Sequence, residues 1–486
     1  METSRHRTIA PENGLAPQGG VAMAAGVARA SGVFAKIRVD PAVALIDVSR
    51  HVRLCGFAAS GTVTVDAQLR QFDGTTWRSE ATFVADAQGE IDLARDQPAS
   101  GSWHGVAPMG LVWSMQREVA SAGEGGQLNN SAGDDKPKGP VDPIIVHVTA
   151  RGADGRAAES RFEQHLMAPG VTRREIRDDG LVGTLFTPAG AGPHPAVIVL
   201  SGSGGGLIEP RAALWASHGV AALALGYFGA PGLPDYISEI PLEYFEKGLN
   251  WMRRTLRPAG DFVAVSGQSR GGELSLLLGA TFPDLVSAVV SYLPSAVTHG
   301  SLSARPKGGD RNATAWTYRG KALPVFGLGN NAMDWGLADN APSPRRQTPV
   351  FVAGLSDAQA IERASIEVER IEGPVIMISG ADDGLWPSTR FAEMVCERLQ
   401  RMRHPFPVEH VRCADAGHYI LFPYVPATMA SKIHPVSKVE LVAGGTTEGR
   451  AIANEHSWSR VLSFMRAAIA AHAGTAAKSD SRAVIS

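Results

Sequence analysis

Two patterns of apolar residues divide the chain. From Ile37 to about Glu163, short segments alternate apolar and polar residues, with Gly, Asp and Ser between them about every 8–12 residues. This alternation is typical of antiparallel strands that bury one face, so the first part is predicted to be an all-β, immunoglobulin-like sandwich. The clearest expected strands are residues 37–39, 51–54, 62–65 and 144–148.

After about Met167 the pattern changes to apolar strands that alternate with amphipathic helices. Strands that are apolar along their whole length indicate a parallel sheet covered by helices on both faces. This part is therefore predicted to be α/β, with a doubly wound, mostly parallel sheet. The expected strands are residues 196–200, 221–225, 262–266, 288–291, 374–379 and 407–411, and the expected helices are 211–217, 242–254, 273–280 and 388–400.

The length agrees with this division. A chain of 486 residues exceeds the roughly 250–300 residues that a single hydrophobic core organises, so two domains are expected. Residues 1–35 are rich in Ala and Gly and show no periodic pattern of this kind. The expected order is a disordered leader at 1–35, the sandwich at 36–166, the α/β domain at 167–475 and a disordered tail at 476–486.

Composition and charge narrow the classes of function. With 44% hydrophobic and 19% charged residues the chain is typical of globular proteins, and its formal net charge of -2 gives no reason to expect a nucleic acid or an anionic membrane as partner. No stretch reaches the ~20 apolar residues that span a bilayer. The three cysteines lack metal-ligand spacing and favour a reduced compartment, so a cytoplasmic protein without metal or other cofactor is expected. The sequence does not define an oligomeric state.

One motif carries candidate chemistry. The apolar strand at 262–266 runs into Gly-Gln-Ser-Arg-Gly at 267–271 and then into a helix. This strand-to-helix setting is the one that the nucleophile elbow of α/β-hydrolases requires, with Ser269 as the nucleophile. Gly267 and Gly271 lie two positions to either side, where a side chain would collide with the strained turn. The motif therefore predicts a serine hydrolase with an α/β-hydrolase domain.

The acid of a catalytic triad follows the serine in these enzymes, at the end of a later strand. The expected strand at 374–379 is followed by two adjacent carboxylates, Asp382 and Asp383. Asp383 is preferred because it lies four residues before Pro387, a common position of the acid. Asp382 stays open as the alternative acid.

The catalytic histidine comes last in this order. His418 follows the last expected strand, at 407–411, and the preceding Gly417 gives its loop freedom to turn the imidazole toward the serine. His434 also lies after the acid, but no strand ends before it. His418 is therefore the predicted base, and His434 is the second choice.

An oxyanion hole needs two backbone N–H groups directed at the developing alkoxide. Arg270, the residue after the nucleophile, supplies one of them. The other is expected from Ser203 or Gly204, in the glycine-rich turn at 201–206 that follows the strand at 196–200. This turn lacks the Lys-Ser/Thr of a P-loop, so we do not expect a nucleotide there.

These motifs and both halves of the chain resemble the family of acyl-CoA thioesterases and bile-acid-CoA:amino-acid N-acyltransferases, from about residue 37 to 465. The similar stretches are residues 203–211, 242–245, 267–274, 380–388 and 417–420 in the α/β half and residues 45–47, 85–95 and 108–113 in the sandwich half.

The resemblance implies hydrolysis of fatty acyl-CoA to a free fatty acid and CoA through an acyl-enzyme, with Ser269, Asp383 or Asp382, and His418 in the triad positions. Family members that transfer the acyl group to an amino acid carry Cys as nucleophile, so Ser269 favours water as acceptor. An N-acyltransferase and a general carboxylesterase of the dienelactone-hydrolase type remain the alternatives. No triad position is broken, which argues against a catalytically silent binding module. The preferred acyl chain and the CoA-binding residues are not defined by the sequence.

Overall fold

The structure is a computed structural model that describes residues 34–118, 136–301, 311 and 313–483. The leader expected at 1–35 lies outside the described residues except for its last two positions. The described residues from Ala35 onward form one compact unit. The domain boundary expected at 166/167 therefore stays a prediction.

Within residues 34–118 and 136–166, the first half consists mainly of antiparallel strands and contains the helical turn α1 (Gly110–Trp113). The strands are β1 (Lys36–Asp40), β2 (Val43–Leu45), β3 (His51–Cys55), β4 (Thr62–Arg70), β5 (Thr76–Val84), β6 (Ile91–Asp92), β7 (Ser100–Gly101), β8 (Gln116–Arg117), β9 (Ile144–Gly152) and β10 (Ala157–His165). They form a three-stranded sheet, β1-β3-β6, and a seven-stranded sheet, β2-β10-β9-β4-β5-β7, in which β8 also pairs with β5.

Alternation of buried residues explains why these segments are strands. Along β4 every second side chain, Val63, Val65, Ala67 and Leu69, is buried, while the residues between them face outward. These side chains belong to an apolar cluster that also contains Trp77 and Phe83 of β5. The predicted β-rich first half is confirmed.

The second half contains further strands, several of them buried along their whole length, and helices. The strands are β11 (Thr172–Ile176), β12 (Val182–Thr187), β13 (Ala196–Leu200), β14 (Ala221–Gly226), β15 (Ile240–Pro241), β16 (Val263–Gln268), β17 (Ala288–Tyr292), β18 (Trp316–Tyr318), β19 (Lys321–Ala322), β20 (Val375–Gly380), β21 (Val408–Cys413), β22 (Ser431–Ile433) and β23 (Glu440–Val442). The helices are α2 (Glu209–Ser217), α3 (Leu242–Leu256), α4 (Arg270–Thr281), α5 (Gly336–Asp339), α6 (Thr348–Gly354), α7 (Ala358–Ala364), α8 (Ser388–Arg401) and α9 (Thr447–Ala483).

An eight-stranded sheet organises this half, in the order β11-β12-β14-β13-β16-β17-β20-β21. The pairs β11–β12 and β12–β14 are antiparallel, and all later neighbours are parallel. Along β13, Ile198 packs into the apolar cluster on one face, and Val197 and Val199 pack into the cluster on the other. The prediction of a mostly parallel sheet covered on both faces is confirmed. The carboxyl ends of β16, β20 and β21 meet at one edge, where ligands of such sheets bind.

Helix boundaries differ from the predictions in two informative places. The helix expected at 273–280 begins at Arg270, directly after Ser269, because the turn lies against the start of the helix. The helix α9 extends to Ala483, beyond the point at which the sequence predicted the start of a disordered tail at 476–486. These residues include Ala, Lys and Arg, which have high helix propensity and continue the preceding helix. Within the described ranges no helix combines the length and the apolar character needed to cross a membrane.

A tryptophan in α9 connects this helix to the rest of the molecule. Trp458 packs against Trp215 of α2, with ring centroids 5.3 Å apart. Its indole Nε1 donates to Asp47 Oδ2 at 2.7 Å, and Asp47 lies just after β2 of the sandwich. The same carboxylate oxygen lies 2.5 Å from Nε2 of His218 at the end of α2. Trp458 therefore links α9, α2 and the sandwich.

We predict that Trp458→Ala lowers the free energy of unfolding by about 3–5 kcal/mol, because it removes a fully buried indole and leaves a cavity. Trp458→Phe keeps an aromatic ring and loses mainly the hydrogen bond to Asp47, so a loss of about 1–3 kcal/mol is expected. Urea unfolding of the wild type and both variants measures the difference. Equal losses in the two variants would contradict the packing role of the ring.

Candidate active site

The turn between β16 and α4 presents Ser269 at the edge of the sheet. Its backbone has φ 58° and ψ −119°, a left-handed conformation that is strained for a residue with a side chain. A Cβ added at Gly267 would lie 2.1 Å from the carbonyl oxygen of Gly271, and one added at Gly271 would lie 2.4 Å from the carbonyl oxygen of Ser201. Because no side chain fits at either position, the turn requires glycine at both 267 and 271.

Three polar side chains form a continuous chain of hydrogen bonds at this turn. Nε2 of His418 lies 2.8 Å from Oγ of Ser269. On the other side of the ring, Nδ1 lies 2.8 Å from Oδ2 and 2.9 Å from Oδ1 of Asp383. Ser269, His418 and Asp383 are only 8%, 3% and 2% exposed. An Nδ1–H that donates to the carboxylate leaves Nε2 free to accept the serine proton, which is the arrangement that acyl transfer needs.

The two adjacent carboxylates have different surroundings. Oδ1 of Asp383 also accepts hydrogen bonds from the amides of Leu385 (2.9 Å) and Trp386 (3.2 Å), which fix its orientation. The side chain of Asp382 is half exposed and instead contacts Arg346 at 2.6 Å and the amide of Gly445 at 2.7 Å. The structure thus brings Asp383 to the histidine, while Asp382 belongs to a surface ion pair.

The glycine-rich turn after β13 lies directly against the candidate nucleophile. A Cβ added at Gly202 would lie 3.3 Å from Cβ of Ser269 and 2.9 Å from the carbonyl oxygen of Gln268. The amides of Gly205 and Gly206 are already bonded, to the carbonyls of Gly202 and Phe228. The oxyanion roles of the backbone amides of Arg270 and of Ser203 or Gly204 stay predictions, and the close approach of this turn supports them.

The second-choice histidine has another partner. Nε2 of His434 lies 2.8 Å from Oγ of Ser203. The expectation that no strand ends before His434 is wrong, because β22 ends at Ile433; His434 lies between β22 and β23, in a hairpin that places Pro435 beside Gly204. The structure therefore brings His434 to the glycine-rich turn at 201–206 and His418 to Ser269.

A buried ion pair lies next to the candidate nucleophile. Nη1 of Arg270 contacts Oε2 of Glu273 at 2.7 Å, and both side chains are almost completely buried. Oε1 of Glu273 accepts hydrogen bonds from Nε1 of Trp316 at 2.8 Å and from the amide of His299 at 3.2 Å. Burial raises the pKa of Glu273, and the charge of Arg270 opposes that rise. The sequence prediction used only the backbone of Arg270 and missed this pair, although a Glu within an otherwise apolar helix is a signal for a buried partner.

His299 connects this ion pair to the candidate triad. Its ring stacks on Trp386 with centroids 5.0 Å apart and an interplanar angle of 26°, and Trp386 meets the ring of His418 edge-on at 5.8 Å. Nε2 of His299 lies 2.8 Å from Oγ of Ser295. Burial, together with the charge of Arg270, lowers the pKa of His299 well below its usual 6.5. A neutral imidazole thus forms part of the wall behind the triad.

We predict that His299 makes the protein less stable in mild acid. The unfolded chain protonates this imidazole near pH 6.5, whereas the folded protein does not, so the unfolded state binds more protons and stability falls as the pH drops below 6.5. Between pH 7.5 and 5.5 the wild type should lose about 1.4 kcal/mol more unfolding free energy than His299→Gln.

Urea unfolding of both proteins at the two pH values measures this difference, and all other titrating groups are common to both. Equal losses in wild type and variant would show that His299 titrates alike in the folded and unfolded states.

The fold and the nucleophile turn define an α/β-hydrolase. Residues 47–178 match the family described as "Acyl-CoA thioester hydrolase/BAAT N-terminal region", and residues 240–471 match the family described as "BAAT / Acyl-CoA thioester hydrolase C terminal". The chain belongs to this acyl-CoA thioester hydrolase/BAAT family, as its resemblance predicted.

The similarity to individual relatives extends over most of the chain. Acyl-coenzyme A thioesterase 6 of Mus musculus is 32% identical, covering 89% of this chain and 96% of the relative. Acyl-coenzyme A thioesterase 2, mitochondrial, of Rattus norvegicus is 31% identical, covering 86% of each chain. The peroxisomal succinyl-coenzyme A thioesterase of Mus musculus is 30% identical, covering 86% of this chain and 93% of the relative.

Proposed function

We propose that this protein hydrolyses fatty acyl-CoA to free fatty acid and CoA. The observation that carries the proposal is the hydrogen-bonded chain from Ser269 through His418 to Asp383 in a member of a thioester hydrolase family. Relatives whose names describe acyl-CoA thioesterases match both halves of the chain, which supports a CoA thioester as the substrate. A cytoplasmic location stays a prediction, since the names of relatives include mitochondrial and peroxisomal forms.

The chemistry follows from the geometry. His418 accepts the proton of Ser269 as the serine oxygen attacks the thioester carbonyl, and Asp383 stabilises the imidazolium that forms. The negative charge on the carbonyl oxygen is stabilised by the amides of Arg270 and of Ser203 or Gly204. The C–S bond then breaks, and His418 returns the proton to the leaving CoA sulfur. Water activated by the same histidine cleaves the acyl-serine and releases the fatty acid.

We predict that Ser269→Ala lowers thiol release from acyl-CoA at least about 10⁴-fold, because the acyl-enzyme cannot form. The measurement uses acyl-CoAs of graded chain length, with colorimetric detection of the free thiol. Circular dichroism and the melting temperature of the variant serve as controls for its fold. Turnover of the variant at the rate of the wild type would contradict the proposal.

The other two activities give different products in the same assay. An N-acyltransferase would form an amide when glycine or taurine is added, which mass spectrometry of the products detects. A general carboxylesterase would cleave p-nitrophenyl esters and leave acyl-CoA intact. Either result from the wild type would overturn the proposed thioesterase activity.

We predict that replacing Asp383 lowers kcat far more than replacing the adjacent Asp382. Asp383→Asn should lower kcat about 10⁴-fold, because an amide no longer holds His418 in the tautomer that accepts the serine proton. Asp382→Asn is the matched control and should keep kcat within about threefold, since it removes only an exposed ion pair with Arg346. Steady-state kinetics of both variants on one acyl-CoA measure the effect. A larger loss for Asp382→Asn would reverse the assignment of the acid.

A further inference from the structure

A second Ser–His pair lies beside the candidate nucleophile, and the proposed mechanism does not use its side chains. Nε2 of His434 lies 2.8 Å from Oγ of Ser203. Ser203 follows Gly202, whose backbone packs against Ser269. The pair therefore lies in the turn from which the second amide donor to the oxyanion is expected.

The hydrogen bonds of His434 define which of its nitrogens carries the proton. Nδ1 faces two backbone N–H groups, those of Val436 at 3.2 Å and Ser437 at 3.1 Å. Both can only donate, so Nδ1 is the acceptor and the proton of the neutral ring is on Nε2. Nε2–H therefore donates to the hydroxyl oxygen of Ser203.

The surroundings of His434 keep its ring neutral. Burial is the largest cause, and the charges of Lys432, His418 and Lys438 act in the same direction, which lowers the pKa of His434 to about 4. A neutral ring at pH 7 agrees with the tautomer that the hydrogen bonds require.

The hydroxyl proton of Ser203 is left available by this arrangement. Its oxygen accepts from His434, and within the part of the chain that the structure describes this hydroxyl has no further hydrogen-bond partner. A hydroxyl that accepts one bond is polarised and donates its own proton more strongly. Ser203 Oγ–H can thus donate to a group bound beside Ser269.

We propose that the hydroxyl of Ser203 is a side-chain donor to the oxyanion, and that His434 is the positioning residue that orients and polarises it. The inference rests on the proposed acyl transfer and adds a third donor to the two backbone amides. No proton is transferred. The hydroxyl of Ser203 donates a hydrogen bond to the oxyanion, and its oxygen at the same time accepts a hydrogen bond from Nε2–H of His434. The histidine that the sequence ranked second as base thus acts on the charge of the transition state.

The first test compares Ser203→Ala with Ser203→Thr, which keeps a hydroxyl. Loss of one oxyanion donor should lower kcat of Ser203→Ala roughly 10- to 100-fold while KM stays within about twofold, because the donor acts mainly in the transition state. Ser203→Thr should retain most of the activity. A kcat of Ser203→Ala equal to that of the wild type would overturn the proposal.

Two inhibitors separate a catalytic from a structural role. A trifluoromethyl ketone analogue of acyl-CoA forms an oxyanion when Ser269 adds to it, whereas an S-alkyl-CoA thioether has no carbonyl oxygen. In Ser203→Ala the ketone should bind more weakly by the same factor as kcat/KM falls, and the thioether should bind as in the wild type. Equal weakening of both inhibitors would mean that Ser203 only shapes the pocket, and the proposal would fail.

The role of His434 is tested with two amide side chains of different length. The oxygen of His434→Asn can still accept from Val436 and Ser437 but does not reach Ser203, so kcat should fall about 5- to 10-fold with little loss of stability. His434→Gln reaches Ser203 with a donor and should recover most of that loss. In the Ser203→Ala background His434→Asn should cause no further loss of kcat, because the two act as one unit. Fully multiplicative losses would refute the coupling.

Failure of this inference and failure of the proposed function give different results. If the wild type releases thiol from acyl-CoA and Ser203→Ala does so equally fast, the inference fails and the thioesterase stands. If the wild type cleaves only another ester, the proposed substrate is wrong, and the same variants are compared on that ester. Attack of Ser269 on any acyl carbonyl generates the same oxyanion, so a selective loss of kcat there would support the role of Ser203.

Discussion

The strained backbone of Ser269 is the constraint on which the rest of the site depends. A left-handed residue between a strand and a helix persists only when its neighbours hold it in place. Here β16 is buried on both faces, and Gly267 and Gly271 let the strand end, α4 and the turn after β13 approach to backbone contact. This backbone conformation presents Ser269 at the edge of the sheet, and the glycine-rich turn at 201–206 lies beside it.

The sheet order explains how distant parts of the chain meet at that serine. The strands β16, β17, β20 and β21 are parallel neighbours about 4.8 Å apart, so their carboxyl ends form one row. The loops after β20 and β21 bring Asp383 and His418 to Ser269. In sequence, Asp383 and His418 are 35 residues apart, and Ser269 and His418 are 149 residues apart. The same edge receives the hairpin of β22 and β23 with His434. One topology thus assembles both Ser–His pairs.

Local signals account for what the sequence could predict. Alternation in β4, the apolar runs of β13 and β16, and the motif around Ser269 each depend on neighbours within a few residues, and the chain order selected His418. Asp382 and Asp383 could not be separated, because spacing does not tell which carboxylate turns inward and which meets Arg346. The bond between Ser203 and His434 spans 231 residues, so no local pattern signals it. The last turns of α9 were missed since no apolar stripe continues through them.

The buried ion pair of Arg270 and Glu273 limits which substitutions can be accepted at this site during evolution. Replacing either partner alone leaves an uncompensated charge in the protein interior, which costs more than the pair itself contributes. Arg270 also provides the amide expected beside the oxyanion, so a shift of its trapped side chain would reach the reaction centre. A lineage is therefore expected to keep both residues or to exchange them together for an apolar pair, with Trp316 and the loop of His299 adapting in the same step.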